Sequence, residues 1–349
     1  MKFLRFFLFP FALIYGGIIA IRNLFFDTGI FASTKASIPL ISVGNLTTGG
    51  SGKTPHVEYL IRLLKNNFRV ATLSRGYGRS SKSFFLATND STANDIGDEP
   101  MQFKNKFPEI TVAVDEKRLN GIHQLLKINP ELDVFLLDDA FQHRSVKPHL
   151  SILLSDYKKI FRDDYLLPIG NLRESKNGYK RADIIIITKC PETITIAEKE
   201  NICSKIKPLS NQKIFFSFLK YGNIISLNNT ETNVLNLETE ILLVTGIANS
   251  LPLESYLNGK VKSIFPMRFR DHHTFTTNDI QQIKNNFELL KSQQKIILCT
   301  EKDAMRFLHS SLLKPLKKLP FYYIPIEIYF QEEDKKQFDK MVLQIVSKK

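Results

Sequence analysis

A chain of 349 residues with 43% hydrophobic and 24% charged side chains has ordinary globular composition and is sized for one large or two modest domains. Three cysteines without C-x-x-C spacing, Cys190, Cys203 and Cys299, argue against a disulfide framework or a zinc site and fit a reducing compartment, where they act as packing residues. The formal net charge of +13 points to an anionic membrane, an anionic substrate or a solvated lysine-rich surface; no interleaved aromatic and basic module occurs, so nucleic acid is not an expected partner.

The run from Phe6 to Ile21 carries no charge, Lys2, Arg5 and Arg22 flank it, and the first acid is Asp27. It is shorter than the roughly 20 residues a spanning helix needs, and Pro10 and Gly16-Gly17 weaken a continuous span. A signal peptide would want a small-x-small cleavage site directly after the run, which is absent. The reading adopted for residues 1–27 is a helix that dips into the cytoplasmic face of a membrane, with its basic flanks on anionic headgroups. A helix merely buried in the protein is the alternative.

The next segment, Ile38-Pro-Leu-Ile-Ser-Val43, reads as a buried strand. The glycine-rich stretch Gly44-Asn-Leu-Thr-Thr-Gly-Gly-Ser-Gly-Lys-Thr54 follows, then a helix whose Val57, Leu60, Ile61 and Leu64 share one face. Strand, glycine-rich loop, Gly-Lys-Thr and helix form the P-loop arrangement. Thr47, Thr48, Gly49, Gly50, Ser51, Gly52, Lys53 and Thr54 are the expected nucleotide contacts. Backbone N–H groups close around phosphates, Lys53 reaches the β- and γ-phosphates, and the Thr54 hydroxyl holds Mg²⁺. Thr47 stands where the usual pattern has glycine, and Gly49 and Gly50 are expected to supply the freedom instead.

Short apolar strands then alternate with helices: strands 69–73, 110–114, 133–138, 150–154 and 183–188, with a helix over 116–127. This spacing predicts a mainly parallel sheet with helices on both faces. Residues 221–240 read as a loop-rich connection or small hairpin. Alternation then resumes with strands 241–245, 295–299 and 321–324 and helices 251–257, 303–308 and 332–346. The expected division is a membrane-associated helix over 1–27, a P-loop core over 28–220 and a smaller C-terminal α/β lobe over 221–349.

Val134-Phe-Leu-Leu-Asp138-Asp139 is an apolar strand ending in acids, the Walker B form that aims carboxylates at Mg²⁺; an Asp capping the next turn is the plainer reading. Gly97-Asp98-Glu99-Pro100 reads as a loop, either a simple turn or the carrier of a general base. Asp271-His272-His273 is short of zinc ligands but suits a His–Asp proton-transfer pair; exposed loop histidines are the alternative. Arg75 and Arg79, on a Gly-containing loop after a strand, and, more weakly, Arg144 and Arg173 are candidates for binding an anionic substrate.

Taken together, Gly44–Pro55, Leu73-Ser-Arg-Gly-Tyr-Gly-Arg79, Gly97-Asp-Glu-Pro100, Leu137-Asp-Asp-Ala-Phe-Gln-His-Arg144, Leu172-Arg-Glu174, Asp271-His-His-Thr-Phe275 and Thr300-Glu-Lys-Asp303 resemble the motifs of the tetraacyldisaccharide 4'-kinase family, in its order and over nearly the whole chain. The resemblance implies phosphoryl transfer from ATP to the 4'-hydroxyl of a tetraacylated glucosamine disaccharide 1-phosphate, with Mg²⁺, at the cytoplasmic face of the bacterial inner membrane. It implies Lys53 and Thr54 on the nucleotide, Asp138 and Asp139 as the metal acids, Asp98 as catalytic base and His272 as its partner; it leaves open which of His272 and His273 pairs with Asp98. It implies no protein partner. Ala140 replaces a glycine found in many relatives, with little consequence expected. The competing function is a membrane-recruited P-loop ATPase or GTPase switch, which Thr300-Glu-Lys-Asp303 superficially suits; its mark would be basal hydrolysis unaffected by any lipid acceptor.

Overall fold

The computed structural model describes residues 7–228, 232–308 and 312–347. Lys2, Arg5 and Phe6, and residues 229–231 of the expected hairpin region, lie outside the described residues. The chain forms two compact units, the first from Met1–Arg75, Glu109–Leu219 and Ile328–Lys349, the second from Gly76–Pro108 and Lys220–Glu327. This departs from the sequential division expected. Residues 76–108 leave the core, and the last helix, Glu332–Val346, returns to it. That helix buries Phe338, Val342 and Val346, stacks Phe338 on Phe330 at 4.8 Å, and accepts a hydrogen bond from Tyr59 Oη on Asp339 Oδ1 at 2.7 Å. Linear sequence carries no sign of that partnership.

In the first unit the strands run in the spatial order Ile326–Phe330, Lys213–Tyr221, Ile184–Cys190, Leu150–Asp156, Leu40–Asn45, Val134–Asp138, Val70–Ser74 and Thr111–Val114. The pairings from Lys213–Tyr221 to Thr111–Val114 are all parallel. Leu40–Asn45 and Val134–Asp138 are buried along their whole length, as strands covered on both faces are, and so show no alternation of apolar and polar residues. Val134–Asp138, Val70–Ser74 and Thr111–Val114 lie on one side of Leu40–Asn45; Leu150–Asp156, Ile184–Cys190 and Lys213–Tyr221 lie on the other. The carboxyl end of Leu40–Asn45 therefore opens at the point where strand order reverses, the place where open α/β sheets receive ligands. The helix Lys53–Leu64 buries Val57, Leu60, Ile61 and Leu64, the face expected from periodicity.

The second unit has its own sheet, in the order Thr232–Asn233, Ile224–Ser226, Phe321–Ile324, Lys295–Thr300, Glu240–Thr245 and Ser263–Arg268. The last four are parallel and the first two close antiparallel. Its core gathers Ile241, Leu243, Leu253, Leu257, Leu298 and Ile324. Ser263–Arg268 had no signal in the sequence because it is a half-exposed edge strand containing Pro266, a residue edges tolerate.

The helix Phe9–Asp27 belongs to the first unit and is inverted relative to a soluble amphipathic helix. Its inward positions are Ala12, Tyr15, Gly16, Ile19, Arg22, Asn23 and Phe26, while Phe11, Ile14, Ile18 and Ile21 face outward at 56–62% exposure. Polar contacts hold it: Tyr15 Oη donates to the Arg173 carbonyl at 2.8 Å, and Asn23 Nδ2 to Glu174 Oε2 at 3.2 Å. Gly16 permits close approach, since a Cβ there would lie 2.8 Å from Leu166 Cδ1. Only Ala12 is buried, so the helix is not the core helix that the alternative reading required.

Candidate active site

The glycine-rich loop follows the strand Leu40–Asn45 and ends at the start of helix Lys53–Leu64. Thr47 forms an extended bridge with Leu172, and Thr48 N–H donates to the Asn171 carbonyl at 2.8 Å. A β-branched residue suits that extended backbone, which is why the usual glycine is not needed there. The left-handed turns fall later, at Gly49 (φ +103°) and Gly52 (φ +83°), where glycine avoids the Cβ penalty.

The same bridge brings Arg173 to the acidic strand end. Asp138 closes the strand Val134–Asp138, in register with Val43, and Asp139 follows with a left-handed φ of +47°. Asp139 accepts from Arg173 Nη1 on both oxygens at 2.9 Å and lies 3.5 Å from Lys53 Nζ. Burial pushes its carboxyl up, but Lys53 and Arg173 outweigh that and hold it below the usual range. Lys53, Thr54, Asp138, Asp139 and Arg173 thus gather at one sheet edge. Among the described residues no group of three or more His, Cys, Asp or Glu forms a cage for a metal. The donor set, one hydroxyl and two carboxylates, is of the hard-oxygen kind that suits Mg²⁺, an ion that shares its shell with phosphates and water.

Arg118 lies fully buried near this cluster, with Nη1 donating to the Asp115 carbonyl. Burial lowers its guanidinium to about 10 against the opposing charges of Asp138 and Asp139. The periodicity had no way to single it out, since it occupies the apolar face of its helix.

Asp98 lies in the second unit. The expected loop at 97–100 is instead a helix start: Asp98 opens the helix Asp98–Lys106 after Gly97, whose φ is +93°. A Cβ on Gly97 would lie 2.9 Å from the Tyr77 carbonyl. Pro100 is tolerated because the first turn has no internal hydrogen bonds to lose.

His272 Nδ1 lies 3.1 Å from Asp98 Oδ2, and His273 Nε2 lies 3.0 Å from Asp279 Oδ2; the question of which histidine pairs with Asp98 is answered by the loop. Arg306 also donates to Asp98 Oδ2, from Nη2 at 2.6 Å and Nε at 3.1 Å. Lys302 Nζ lies 3.1 Å from His272 Nε2 and 2.9 Å from Glu99 Oε1. Burial alone would raise the Asp98 carboxyl; the His272 and Arg306 hydrogen bonds, with the charges of Arg306 and Lys302, bring it down to about 2.

Arg306 had no motif signal. Thr300-Glu-Lys-Asp303 did, but its role differs from base reading. Asp303 is buried, accepting from Thr300 Oγ1 at 2.7 Å, Gly246 N–H at 3.1 Å and Arg306 Nη1 at 2.8 Å. It is the anchor that holds Arg306 on Asp98, and at 0% exposure it is not presented to a guanine base.

The four candidate arginines separate. Arg173 is on Asp139, and Arg75 is exposed. Arg79 donates to Ser81 Oγ and the Ser83 carbonyl of its own loop. Arg144 donates to the Asn23 carbonyl, pairs with Asp27 and lies over the Phe26 ring at 5.3 Å, so it fastens the N-terminal helix.

The sequence model of the family described as tetraacyldisaccharide-1-P 4'-kinase, LpxK, matches residues 4–347. A tetraacyldisaccharide 4'-kinase of Bacteroides thetaiotaomicron is 47% identical over 96% of this chain and 92% of its own length. That of Flavobacterium johnsoniae is 44% identical over 99% and 98%. The crystal structure of LpxK from Aquifex aeolicus in complex with ATP matches with a TM-score of 0.76 at 30% identity, covering 98% of this chain and 99% of that one.

Proposed function

This chain belongs to the tetraacyldisaccharide 4'-kinase family, and from that premise we propose how its residues divide the work. It is an ATP-dependent kinase that phosphorylates the 4'-hydroxyl of a tetraacylated glucosamine disaccharide 1-phosphate in lipid A biosynthesis. The observation that carries the assignment of roles is the meeting of Lys53, Asp139 and Arg173 beside the phosphate loop.

In this reading the loop from Thr47 to Thr54 binds the triphosphate, and Lys53 neutralises the β- and γ-oxygens. Thr54, Asp138 and Asp139 would hold Mg²⁺, which supplies charge neutralisation on the transferring phosphoryl group. The new O–P bond forms at the 4'-oxygen, the β–γ bridging bond breaks, and ADP leaves.

Asp98 is the group assigned to the acceptor hydroxyl. Its Oδ2 is occupied by His272 and Arg306, which leaves Oδ1 for the substrate. A carboxyl held at about 2 is a weak base, so Asp98 orients the hydroxyl. It receives the proton late, when O–P bonding has acidified the oxygen, as a loose transition state permits. His272 fixes the carboxylate. Arg75 and Arg173 serve the anionic substrate, while Arg79 and Arg144 act through the loop and helix they brace.

The substrate is amphiphilic, and the outward apolar face of the 19-residue helix Phe9–Asp27, whose most apolar 18-residue stretch has mean hydropathy 1.6, suits docking on the anionic cytoplasmic face of the inner membrane. The direct test is transfer of labelled γ-phosphate from ATP to purified disaccharide 1-phosphate in detergent micelles. Hydrolysis of ATP with no labelled lipid, unchanged by acceptor, would favour the switch instead.

A further inference from the structure

Three consecutive carbonyls of the glycine-rich loop are each held by a different side chain. Lys189 Nζ donates to the Gly50 carbonyl. Thr188 Oγ1 donates to the Ser51 carbonyl at 3.0 Å. His56 Nδ1 lies 2.6 Å from the Gly52 carbonyl. A carbonyl can only accept, so the Nδ1 of His56 carries the proton; Nε2 is then left to accept from Ser217 Oγ at 3.0 Å. Thr188, His56 and Ser217 are all buried. Lys189 is braced in turn by Asp156, Oδ2 at 2.7 Å, and sits in the left-handed region at φ +57°, a conformation that costs a non-glycine residue energy and persists only where its surroundings demand it.

The peptide plane converts these contacts into aim. A carbonyl and the N–H of the next residue point in opposite directions within one rigid plane. Holding the Ser51 and Gly52 carbonyls directs the N–H groups of Gly52 and Lys53 away from the buried donors. Holding the Gly50 carbonyl fixes the peptide whose Ser51 N–H closes the turn on the Gly49 carbonyl at 3.0 Å. A loop that grips phosphate by N–H groups works best when those groups already converge, because ordering a glycine-rich segment on binding costs entropy.

We propose that Thr188, Lys189 and His56 form a latch that presets the phosphate-binding loop before the nucleotide arrives. Thr188 and Lys189 come from the strand Ile184–Cys190, and His56 from the helix the loop leads into. All three are positioning residues, since each acts on backbone and none on the reacting atoms. The proposal rests on the reading of this loop as the triphosphate site.

The test compares affinity for ATP and for inorganic tripolyphosphate in the full-length protein and its variants, with melting temperature in the absence of ligand as the check on folding. Thr188→Val and His56→Leu each remove one loop anchor and should weaken both ligands in parallel, by about threefold to tenfold for a lost hydrogen bond. Thr188→Ser keeps the hydroxyl and should bind both as the parent does. The proposal is overturned if folded Thr188→Val binds both ligands normally, if Thr188→Ser is as weak as Thr188→Val, or if ATP is weakened and tripolyphosphate is not. A parent protein that binds neither ligand would instead overturn the reading of the loop itself.

Discussion

Asp98 Oδ2 and His272 Nδ1 lie 3.1 Å apart across 174 residues of sequence. The neighbouring His273 turns to Asp279 instead. The left-handed backbone at His272, φ +56°, sends the two adjacent rings to different partners, so the pair that looks interchangeable in sequence is not so in space.

Asp98→Asn should lower kcat by about 10²–10⁴-fold, the usual range for a group that manages the proton, with little change in KM for ATP. His272→Ala should show a smaller loss, and the double variant should be little worse than Asp98→Asn alone if the two act as a unit. Steady-state kinetics decide it; a change confined to KM for ATP would move Asp98 to a structural or nucleotide-site role.

The Asp98 carboxyl falls from 3.8 to about 2 on folding. A carboxyl depressed in the folded state contributes stability that is fully present above 3.8 and lost as pH falls towards about 2. Asp98→Asn should therefore flatten the acid limb of the melting-temperature curve in that window and leave the curve's shape near neutrality unchanged. An unaltered acid limb, followed by circular dichroism, would contradict the ion pair with Arg306.

Arg306→Met should strongly destabilise the protein, because it leaves the Asp98 and Asp303 carboxylates buried without their cation; breaking a buried pair typically costs about 3–5 kcal/mol. Arg306→Lys keeps the charge but not the fork that meets both acids, and should recover only part of the loss. Denaturant midpoints for the two variants make the comparison, and equal midpoints for Arg306→Met and the parent would remove Arg306 from the account.

Lys53→Ala should abolish phosphoryl transfer, and Thr54→Ala should nearly do so, since the γ-phosphate charge and the cation lose their protein contacts. Labelled γ-phosphate transfer measures both. Near-normal turnover in a folded Lys53→Ala protein would exclude ATP chemistry at this loop.

Deleting residues 1–26 should release the protein from membranes, but the structure adds a second consequence. Tyr15 and Asn23 hold the segment of Arg173 and Glu174, so the deletion should also disturb the Asp139–Arg173 contact. Ile14→Ser, Ile18→Ser and Ile21→Ser together spare those contacts and remove three outward side chains, each worth roughly 1.5–3 kcal/mol when fully buried in lipid. Flotation with anionic liposomes should show the triple variant detached and the KM for micellar lipid raised, with ATP affinity unchanged. Flotation equal to the parent's would mean the face is not the membrane contact.

The sequence by itself determined what is local. Strand Leu40–Asn45, the glycine-rich loop, helix Lys53–Leu64 and the acidic end at Asp138 were all readable, because hydrophobic period and loop chemistry lie within a few residues of each other. The motif order went further and identified the family. Tertiary structure decided what depends on residues distant in the chain. It gave the final helix to the first unit through Tyr59, Phe330 and Phe338, and it recast Thr300-Glu-Lys-Asp303 as the support for Arg306. It chose His272 over His273, turned Arg144 from ligand candidate to helix fastening, and brought Thr188 and Lys189 to the loop carbonyls. The physical reason is common to all of these: a hydrogen bond or ion pair is set by distance and direction in space, and neither leaves a periodic trace along the chain.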